Sequence, residues 1–297
     1  MKKTKSGLIA SGIAALCSAT LAANASELVA YEGFNYAPTN SLAGLNGGTG
    51  WSSHWLLVQE IPTGVGISGL TWPNLQTSGN CAATPPFPNT AYSIYSRNIA
   101  PYTTTDGVVY VSFLFRPVPG FGQGGGLEFG SLSNGMIVGA HPGTFHYGLM
   151  NTAFSGVDTT VPVEENVTAL CVVRINNNFD GTITYGLFVN PMIDDPQPVA
   201  PEATYTMTGA LPVNIKILND GGFLTDEIRV GTTWTSVLPS TLTAPCPGDL
   251  DASGSVNASD LGILLGGWGG VLGDINGDGT TDAIDLGLLL GAWGACP

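Results

Sequence analysis

Two similar segments near the C-terminal end are the feature that most restricts how this chain folds. Residues 249–269 align with residues 274–294 at a shift of 25 positions, and 11 of the 21 aligned residues are identical. A match of this kind within one chain indicates that a small structural unit was duplicated. We therefore expect the C-terminal region, residues 246–297, to fold as two copies of one unit.

Each copy opens with a 12-residue segment whose polar side chains are regularly spaced. Side chains that carry oxygen stand at positions 1, 3, 5, 7, 9 and 12, and glycine stands at position 6. Such a spacing is typical of a loop that wraps Ca²⁺, in which position 7 contributes its backbone carbonyl. Neither segment contains His or Cys, which favours calcium over zinc. The predicted ligands of two Ca²⁺ ions are Asp249, Asp251, Ser253, Ser255, Asn257 and Asp260 in the first loop, and Asp274, Asn276, Asp278, Thr280, Asp282 and Asp285 in the second.

The two loops differ in their number of carboxylates. The second loop has four carboxylates and the first has three, so we expect the second to bind Ca²⁺ more tightly. The alternative is that both segments are acidic turns without a metal.

Leucines and a tryptophan follow each loop at helical spacing. They occupy positions i, i+3, i+4 and i+7, as Leu261, Leu264, Leu265 and Trp268 in the first copy and Leu286, Leu289, Leu290 and Trp293 in the second. This pattern predicts one short amphipathic helix in each copy. Glycines inside both segments lower helicity by about 1 kcal/mol each. Metal binding is therefore expected to supply much of the folding free energy.

Taken together, these loops and helices resemble a dockerin module, in which Asp replaces the Glu of an EF-hand at position 12. The resemblance implies two bound calcium ions and docking to a cohesin-like or other surface receptor through the helix starts and loop positions 10 and 11. Those positions hold Ala258-Ser259 and Ala283-Ile284, which departs from the matched Ser-Thr pair of the family. The alternative is that the two helices only pack against each other.

The N-terminal segment predicts export. Lysines near the start precede a small and apolar stretch over residues 7–23, and Ala23-Asn24-Ala25 has the form of a signal peptidase site. We interpret residues 1–25 as a signal peptide and expect the protein to be extracellular, secreted or attached to a cell surface. No other segment reaches 18 uninterrupted apolar residues, so no membrane span is predicted.

Four cysteines follow the predicted signal peptide, and an exported protein can keep them oxidised. Cys246 and Cys296 bracket the C-terminal module, which predicts that they pair with each other. That pairing leaves Cys81 with Cys171, although four cysteines allow three pairings and four free thiols are an alternative.

Residues 26–238 have the composition of a β-sandwich. The whole chain contains 42 Gly and 20 Pro, and upstream of residue 239 short β-branched and aromatic segments alternate with turn signals. Both faces of the predicted strand over residues 108–115 are apolar, as expected when a strand is covered on each side. Residues 239–245 carry no charge and include proline, which predicts a linker.

The two ends of this region resemble concanavalin A-like or laminin G-like domains, in the segments 31–36, 45–52 and 226–234. The resemblance implies a two-sheet jelly-roll sandwich whose first and last strands pair, bringing Glu32 near Asp226. The predicted fold class is thus mainly β, a sandwich followed by a small α module of two EF-hand-like calcium loops and short helices.

Charge and aromatic content narrow the ligands of the sandwich. After the signal peptide, five basic and 22 acidic residues remain, a net charge of −17, which argues against nucleic acid or an anionic membrane as a partner. Trp51, Trp55 and Trp72 are candidates for a platform that stacks on a sugar ring. The alternative is that these rings belong to the core.

The sequence offers no recognisable catalytic motif. A glycosidase needs two carboxyls that face one sugar bond, but the adjacent pairs Glu164-Glu165, Asp194-Asp195 and Asp226-Glu227 are better interpreted as solvated. His141 and His146 fit a loop or hairpin, and the glycine-rich residues 120–125 fit a loop rather than a nucleotide site.

Three hypotheses follow. The first is an exported calcium-binding protein whose sandwich binds carbohydrate and whose dockerin-like module anchors it. The second is a polysaccharide-degrading glycoside hydrolase attached through that module. The third is a purely structural surface protein.

Overall fold

The computed structural model describes residues 27–60, 63–85, 93–122, 124–131, 134–153, 155–241, 246, 248–251 and 253–296. The predicted signal peptide and residues 242–245 of the predicted linker lie outside the described residues.

The described part of the chain is mainly β. Its strands are β1 (Leu28–Glu32), β2 (Leu56–Glu60), β3 (Gly64–Val65), β4 (Ala82–Ala83), β5 (Ser93–Asn98), β6 (Val108–Pro117), β7 (Gly125–Ser131), β8 (Asn134–Ala140), β9 (His146–Asn151), β10 (Gly156–Pro162), β11 (Ala169–Asn177), β12 (Thr182–Val189), β13 (Ala203–Thr208), β14 (Asn214–Asn219), β15 (Phe223–Gly231), β16 (Ser255–Val256) and β17 (Gly294–Ala295). The helices are a 3-10 turn at Thr235–Val237, α1 (Ala258–Gly266) and α2 (Ala283–Gly291). Neither α-helix is long and apolar enough to cross a membrane.

Two antiparallel sheets contain the first fifteen strands. One sheet has the order β13-β12-β11-β6-β15-β4-β3, with β1 also paired to β15, and the other has the order β10-β9-β8-β7-β14-β5-β2. A shared apolar cluster joins their facing sides, and in it the rings of Phe129 from β7 and Tyr185 from β12 stack at 6.4 Å. The expected two-sheet sandwich is therefore present.

Strand β6 shows why both faces of a strand can be apolar. Val109, Val111 and Phe113 face the cluster between the sheets. Leu114 faces the opposite way, into a second cluster with Leu70 and other residues outside the sheet. The outer face of the eight-stranded sheet is thus covered by loop residues rather than by another sheet.

The first and last sandwich strands pair, as the resemblance implied. Tyr31 is opposite Arg229 and Glu32 is opposite Ile228. On the other edge of β15, a bulge between Asp226 and Arg229 interrupts its pairing with β6. Glu32 and Asp226 consequently take part in separate hydrogen-bond networks.

The start of the predicted linker belongs to the sandwich. Leu75 forms a bridge with Ser240, and the backbone N–H of Thr241 donates to the carbonyl of Asn74 at 2.6 Å. Residues 239–241 are therefore held by backbone hydrogen bonds, and the sandwich extends past the predicted boundary at residue 238.

The C-terminal region has a small core of its own. Val256, Leu264 and Leu289 are its fully buried apolar residues, and α1 contacts α2 around them. The predicted helices form, but each ends two residues before the tryptophan at the end of its pattern. A disulfide joins Cys246 to Cys296, which confirms that pairing.

The predicted disulfide between Cys81 and Cys171 is wrong, because both are free buried thiols. Cys171 faces the core between the sheets, whereas Cys81 belongs to the cluster on the opposite face of the same sheet. Strands β6 and β15 also lie between β11, which carries Cys171, and β4, which follows Cys81. The sheet itself therefore separates the two sulfur atoms.

Candidate functional sites

The first C-terminal loop directs its carboxylates inward. Asp249 accepts hydrogen bonds from the backbone N–H groups of Ser253 and Gly254 at 2.9 and 2.8 Å. Carboxylate oxygens of Asp249, Asp251 and Asp260 all lie within 4.8 Å of one another. The carbonyl of Ser255 accepts from Asn257 Nδ2 at 3.1 Å, so it faces the same loop.

The second loop repeats the backbone hydrogen bond to its first aspartate. The backbone N–H of Gly279 donates to Asp274 Oδ2 at 2.7 Å, as Gly254 does to Asp249. Gly254 and Gly279 have φ values of +85° and +96°, a conformation that glycine adopts without steric cost. The duplicated sequence thus repeats the backbone contacts, whereas among the described residues only the first loop brings three carboxylates within 4.8 Å of one another.

The last aspartate of each loop also begins a helix. Asp260 accepts a hydrogen bond from the backbone N–H of Asn257 at 2.9 Å, and Asp285 accepts one from that of Asp282 at 2.8 Å. Each forms a capping box with its N-cap residue. The loop and the helix therefore depend on the same carboxylate.

The charge of these loops suits a cation. The amide of Asp282, followed by those of Asn276 and Ile275, holds the pKa of Asp285 below its ordinary value. Residues 246–297 contain seven aspartates and no basic residue. Ionised carboxylates with no positive side chain of their own segment beside them fit a hard cation such as Ca²⁺.

Cys296 of the disulfide contacts the first loop. The backbone N–H of Cys296 donates to the carbonyl of Gly254 at 3.0 Å, and β17 pairs with β16 inside that loop. Cys296 Sγ is 3.6 Å from Asp249 Oδ2. The C-terminal end of the chain thus fastens positions 6 and 7 of the first loop.

The two helices leave matching apolar residues exposed. Leu265 and Leu290 are 52% and 53% exposed, and Trp268 and Trp293 are 49% and 50% exposed. Leu264 and Leu289 are instead completely buried. The predicted apolar stripe is therefore divided between the small core and a surface, which we call the Leu-Trp surface (Leu265, Trp268, Leu290 and Trp293).

The predicted tryptophan platform does not form. Trp55 is completely buried, and its indole N–H donates to the carboxylate of Glu32 at 3.1 Å. Trp51 packs partly buried against the core, with the guanidinium of Arg97 5.0 Å from its ring centroid. Trp72 packs against the cluster on the other face of the eight-stranded sheet. Trp55 is thus a core residue, and the three rings do not share one surface.

Asp226 and Glu227 are both completely buried, so their interpretation as a solvated pair is wrong. Asp226 accepts the backbone N–H of Leu70 at 2.7 Å, and burial raises its pKa to about 8. Glu227 forms an ion pair with Arg229 and accepts the backbone N–H of Ser78 at 2.6 Å. The two carboxylates thus fasten residues 70 and 78 to β15, the last strand of the sandwich.

A groove crosses the outer face of the seven-stranded sheet. Its aliphatic wall comes from Ile94, Ile137, Met150 and Leu218 on four different strands. Ile94 pairs with Leu218, and Ile137 pairs with Met150, so the register forms two aliphatic pairs on either side of β7. We call this cavity of about 190 Å³ the outer groove.

One member of a buried ion pair, Glu128, lines the outer groove. Lys216 Nζ donates to Glu128 Oε1 and to the carbonyl of Gly130, both at 2.6 Å. Glu128 is 1% exposed, and burial raises its pKa above the ordinary value. Glu128 Oε2 has no hydrogen-bond partner among the described residues. A residue that lines the groove therefore carries a buried acceptor without a partner among the described residues.

This ion pair was not predicted from the sequence, although a signal for it existed. Glu128 stands between Leu127 and Phe129, and Lys216 stands between Ile215 and Ile217. Isolated opposite charges in two otherwise apolar strands indicate a pair on one sheet face. The register between β7 and β14 that unites them is not visible in either segment alone.

A second polar pair lies near the end of the groove. His141 Nδ1 contacts Asp158 Oδ1, and burial lowers the pKa of His141. The backbone N–H of His141 donates to the carbonyl of His146 at 3.0 Å. The predicted hairpin at these histidines is confirmed.

Comparison with known proteins yields distant structural likenesses only. No protein-family model and no curated protein matches the chain. The carbohydrate recognition domain of Emp47p is 11% identical, with a TM-score of 0.33 over 70% of this chain and 98% of that chain. An endo-β-1,4-glucuronan lyase from the fungus Trichoderma reesei is 13% identical, with a TM-score of 0.36 over 70% and 96%. The galectin LEC-6 of Caenorhabditis elegans is 13% identical, with a TM-score of 0.30 over 55% and 99%. At these values the function has to be inferred from the residues of this chain.

Proposed function

We propose that this protein is exported and binds two calcium ions in a C-terminal dockerin-like module, which anchors a carbohydrate-binding sandwich to a surface or a larger assembly. The observation that carries the proposal is the matched pair of loops. Both arrange carboxylates at positions 1 and 12 around the same pattern of backbone N–H donors. Asx turns alone would not require the same five oxygen-bearing positions in both copies.

Calcium would be held by oxygen atoms of the two loops. Side chains at positions 1, 3, 5, 9 and 12 and the carbonyls of Ser255 and Thr280 are the donors. The bound ion supplies the positive charge that the module lacks. The aspartates at position 12 then join each ion to the first turn of its helix.

The test is calorimetric titration of the chelator-treated full-length protein with CaCl₂. We expect two sites, with the tighter one in the second loop because it has four carboxylates. Asp274→Ala should remove the tighter site, and Asp249→Ala the weaker one. Asp195→Ala, a change of an exposed aspartate in the sandwich, is the matched control. One class of equal sites would contradict the ranking, and no binding would contradict the proposal.

The Leu-Trp surface supports a docking role for the module. Four large apolar side chains at about half exposure are related by the internal repeat, and exposed apolar patches mark interaction sites. A cohesin-like domain is the partner that the module resemblance suggests. We expect calcium-dependent binding to a panel of cohesin domains, and its loss in Trp268→Ser with Trp293→Ser. Unchanged binding by that variant would place the docking surface elsewhere.

The outer groove supports carbohydrate binding by the sandwich. Its aliphatic wall can pack against the apolar face of a sugar, and Glu128 can accept a hydrogen bond from the ligand. A glycan array with and without EDTA tests this, and binding should persist in EDTA because no calcium loop lines the groove. Thr152→Trp should block it, since Thr152 lines the groove, whereas the exposed Thr160→Trp should not. Binding that survives Thr152→Trp would exclude the groove.

A further inference from the structure

We propose that the outer groove selects uncharged saccharides that carry an acetamido group. The acetamido methyl packs on the aliphatic wall, and the amide N–H donates to Glu128 Oε2. This inference rests on the proposed carbohydrate binding of the sandwich and specifies the class of its ligand.

The walls of the groove indicate a ligand with a compact apolar group. Ile94, Ile137, Met150 and Leu218 are each 6–9% exposed and surround about 190 Å³ of space. None of the described residues that line the groove is aromatic. Stacking against a flat sugar ring is therefore not its main contact, whereas a methyl group fits an aliphatic cavity.

Glu128 restricts which polar group the ligand can place in the groove. Its Oε1 already accepts from Lys216, while its Oε2 is a buried acceptor without a partner among the described residues. A buried acceptor left without a donor is costly, so a ligand that brings an N–H or O–H removes that cost. A carbonyl or ether oxygen at the same place would meet a second acceptor.

The charge of the groove excludes two other sugar classes. Lys216 forms an ion pair with Glu128, and among the described residues Glu128 is the only charged side chain that lines the cavity. An ammonium group of a free amino sugar would add an uncompensated charge to an apolar cavity. A uronate carboxylate would lie beside the unpartnered oxygen of Glu128 and be repelled. An acetamido group offers the donor without the charge.

The experiment is titration of the full-length protein with four sets of short oligosaccharides, built from N-acetylglucosamine, glucosamine, glucose and glucuronate. We expect the N-acetylglucosamine oligomer to bind at least ten times more tightly than the other three. The methyl NMR signal of Met150 should shift on titration with it, which places the ligand in the groove.

Glu128→Gln tests the role of the carboxylate. Lys216 holds the amide oxygen, so the amide NH₂ faces the groove and the acceptor is lost. We expect at least a tenfold loss of affinity for the N-acetylglucosamine oligomer, while the exposed Glu164→Gln keeps full affinity. The Met150 signal in the wild-type protein provides an independent test if Glu128→Gln unfolds.

The possible outcomes distinguish the selectivity for acetamido sugars from carbohydrate binding itself. Equal affinity for glucose or glucuronate oligomers, or full affinity in a folded Glu128→Gln protein, would overturn the selectivity and leave carbohydrate binding intact. Absence of binding by all four sets and by a glycan array would overturn carbohydrate binding itself. Tight binding without a change at Met150 would move the site away from the groove.

Discussion

The sandwich and the C-terminal module hold their charges in opposite ways. Buried carboxylates of the sandwich pair with buried cations, as Glu32–Arg97, Glu128–Lys216 and Glu227–Arg229. The module has seven aspartates and no basic residue in its segment. The sandwich therefore balances its buried charges from within its own sequence, whereas the module has no basic side chain to offset its carboxylates.

The apolar core of the sandwich is also much larger than that of the module. The main cluster of the sandwich draws side chains from both sheets, including Phe113, Phe129 and Tyr185. The cluster of the module has only three completely buried members within the described residues. Because apolar burial is the main stabilising contribution to folding, the disulfide contributes a larger share of the stability of the module, and the proposed calcium binding would add to it.

Removal of calcium should produce the largest difference in stability between the two regions. In excess EDTA we expect the module to lose its helices, because repulsion among its aspartates is no longer offset. The sandwich should keep its structure. Circular dichroism at 222 nm and calorimetry would show loss of the module transition with the sandwich transition unmoved, and CaCl₂ should restore it. Two transitions that move together would contradict this independence.

Removal of the Cys246–Cys296 disulfide should have the next largest effect. The bridge closes a separation of 50 residues, and a loop of that length corresponds to about 4 kcal/mol on the chain-entropy model. In Cys246→Ser with Cys296→Ser we expect the module to lose stability by about this amount, measured by denaturant unfolding in saturating calcium.

The same variant should weaken the two calcium loops unequally. Cys296 contacts Gly254 and Asp249 of the first loop, so affinity of that loop should fall more than affinity of the second. Cys171→Ala is the matched control, since it removes a free thiol from the sandwich core. Equal weakening of both calcium sites would show that the disulfide acts on the whole module.

An unpaired buried charge should destabilise the sandwich and spare the module. Arg97 is 1% exposed and pairs with Glu32, and its NH2 group also donates to the carbonyl of Gly47 at 2.8 Å. Arg97→Met leaves the carboxylate buried without its cation, which costs about 3 kcal/mol or more. Thermal unfolding should show a lowered sandwich transition only. Arg174→Met, at a half-buried arginine of β11, should change it far less.

The sequence predicted local features well. Both helices and the disulfide around the module follow from spacing within about 50 residues, and the structure contains them. The hairpin at His141 is also present. The pairing of the terminal strands, which the resemblance implied, is present as well. Calcium binding stays a prediction, although the loop geometry is compatible with it.

Features that depend on strand order were predicted poorly. Cys81 and Cys171 lie on opposite faces of one sheet, and a cysteine count contains no information about faces. Trp55 and Asp226 are buried by segments far away in sequence. Polar residues in a turn-rich chain resemble surface residues until the loops that cover them are known.

A further prediction concerns pH and the buried Asp226. Burial raises its pKa from 3.8 to about 8 in the folded protein. Between those values the folded state binds more protons than the unfolded state, so the free energy of unfolding falls as pH rises through this window. Above about pH 8 both states are ionised, and this contribution becomes constant.

Urea unfolding of the sandwich from pH 5 to pH 9, in saturating calcium, would measure this decline. Asp226→Asn cannot ionise, so its free energy of unfolding should fall less over that range. The variant should be less stable at pH 5, because an amide keeps only one of the two acceptors that receive the N–H groups of Leu70 and Glu227. Asp195→Asn, at an exposed aspartate, should retain the wild-type slope. Parallel curves for the wild-type protein and Asp226→Asn would mean that Asp226 is ionised throughout, held in that state by its two backbone donors and by Arg229.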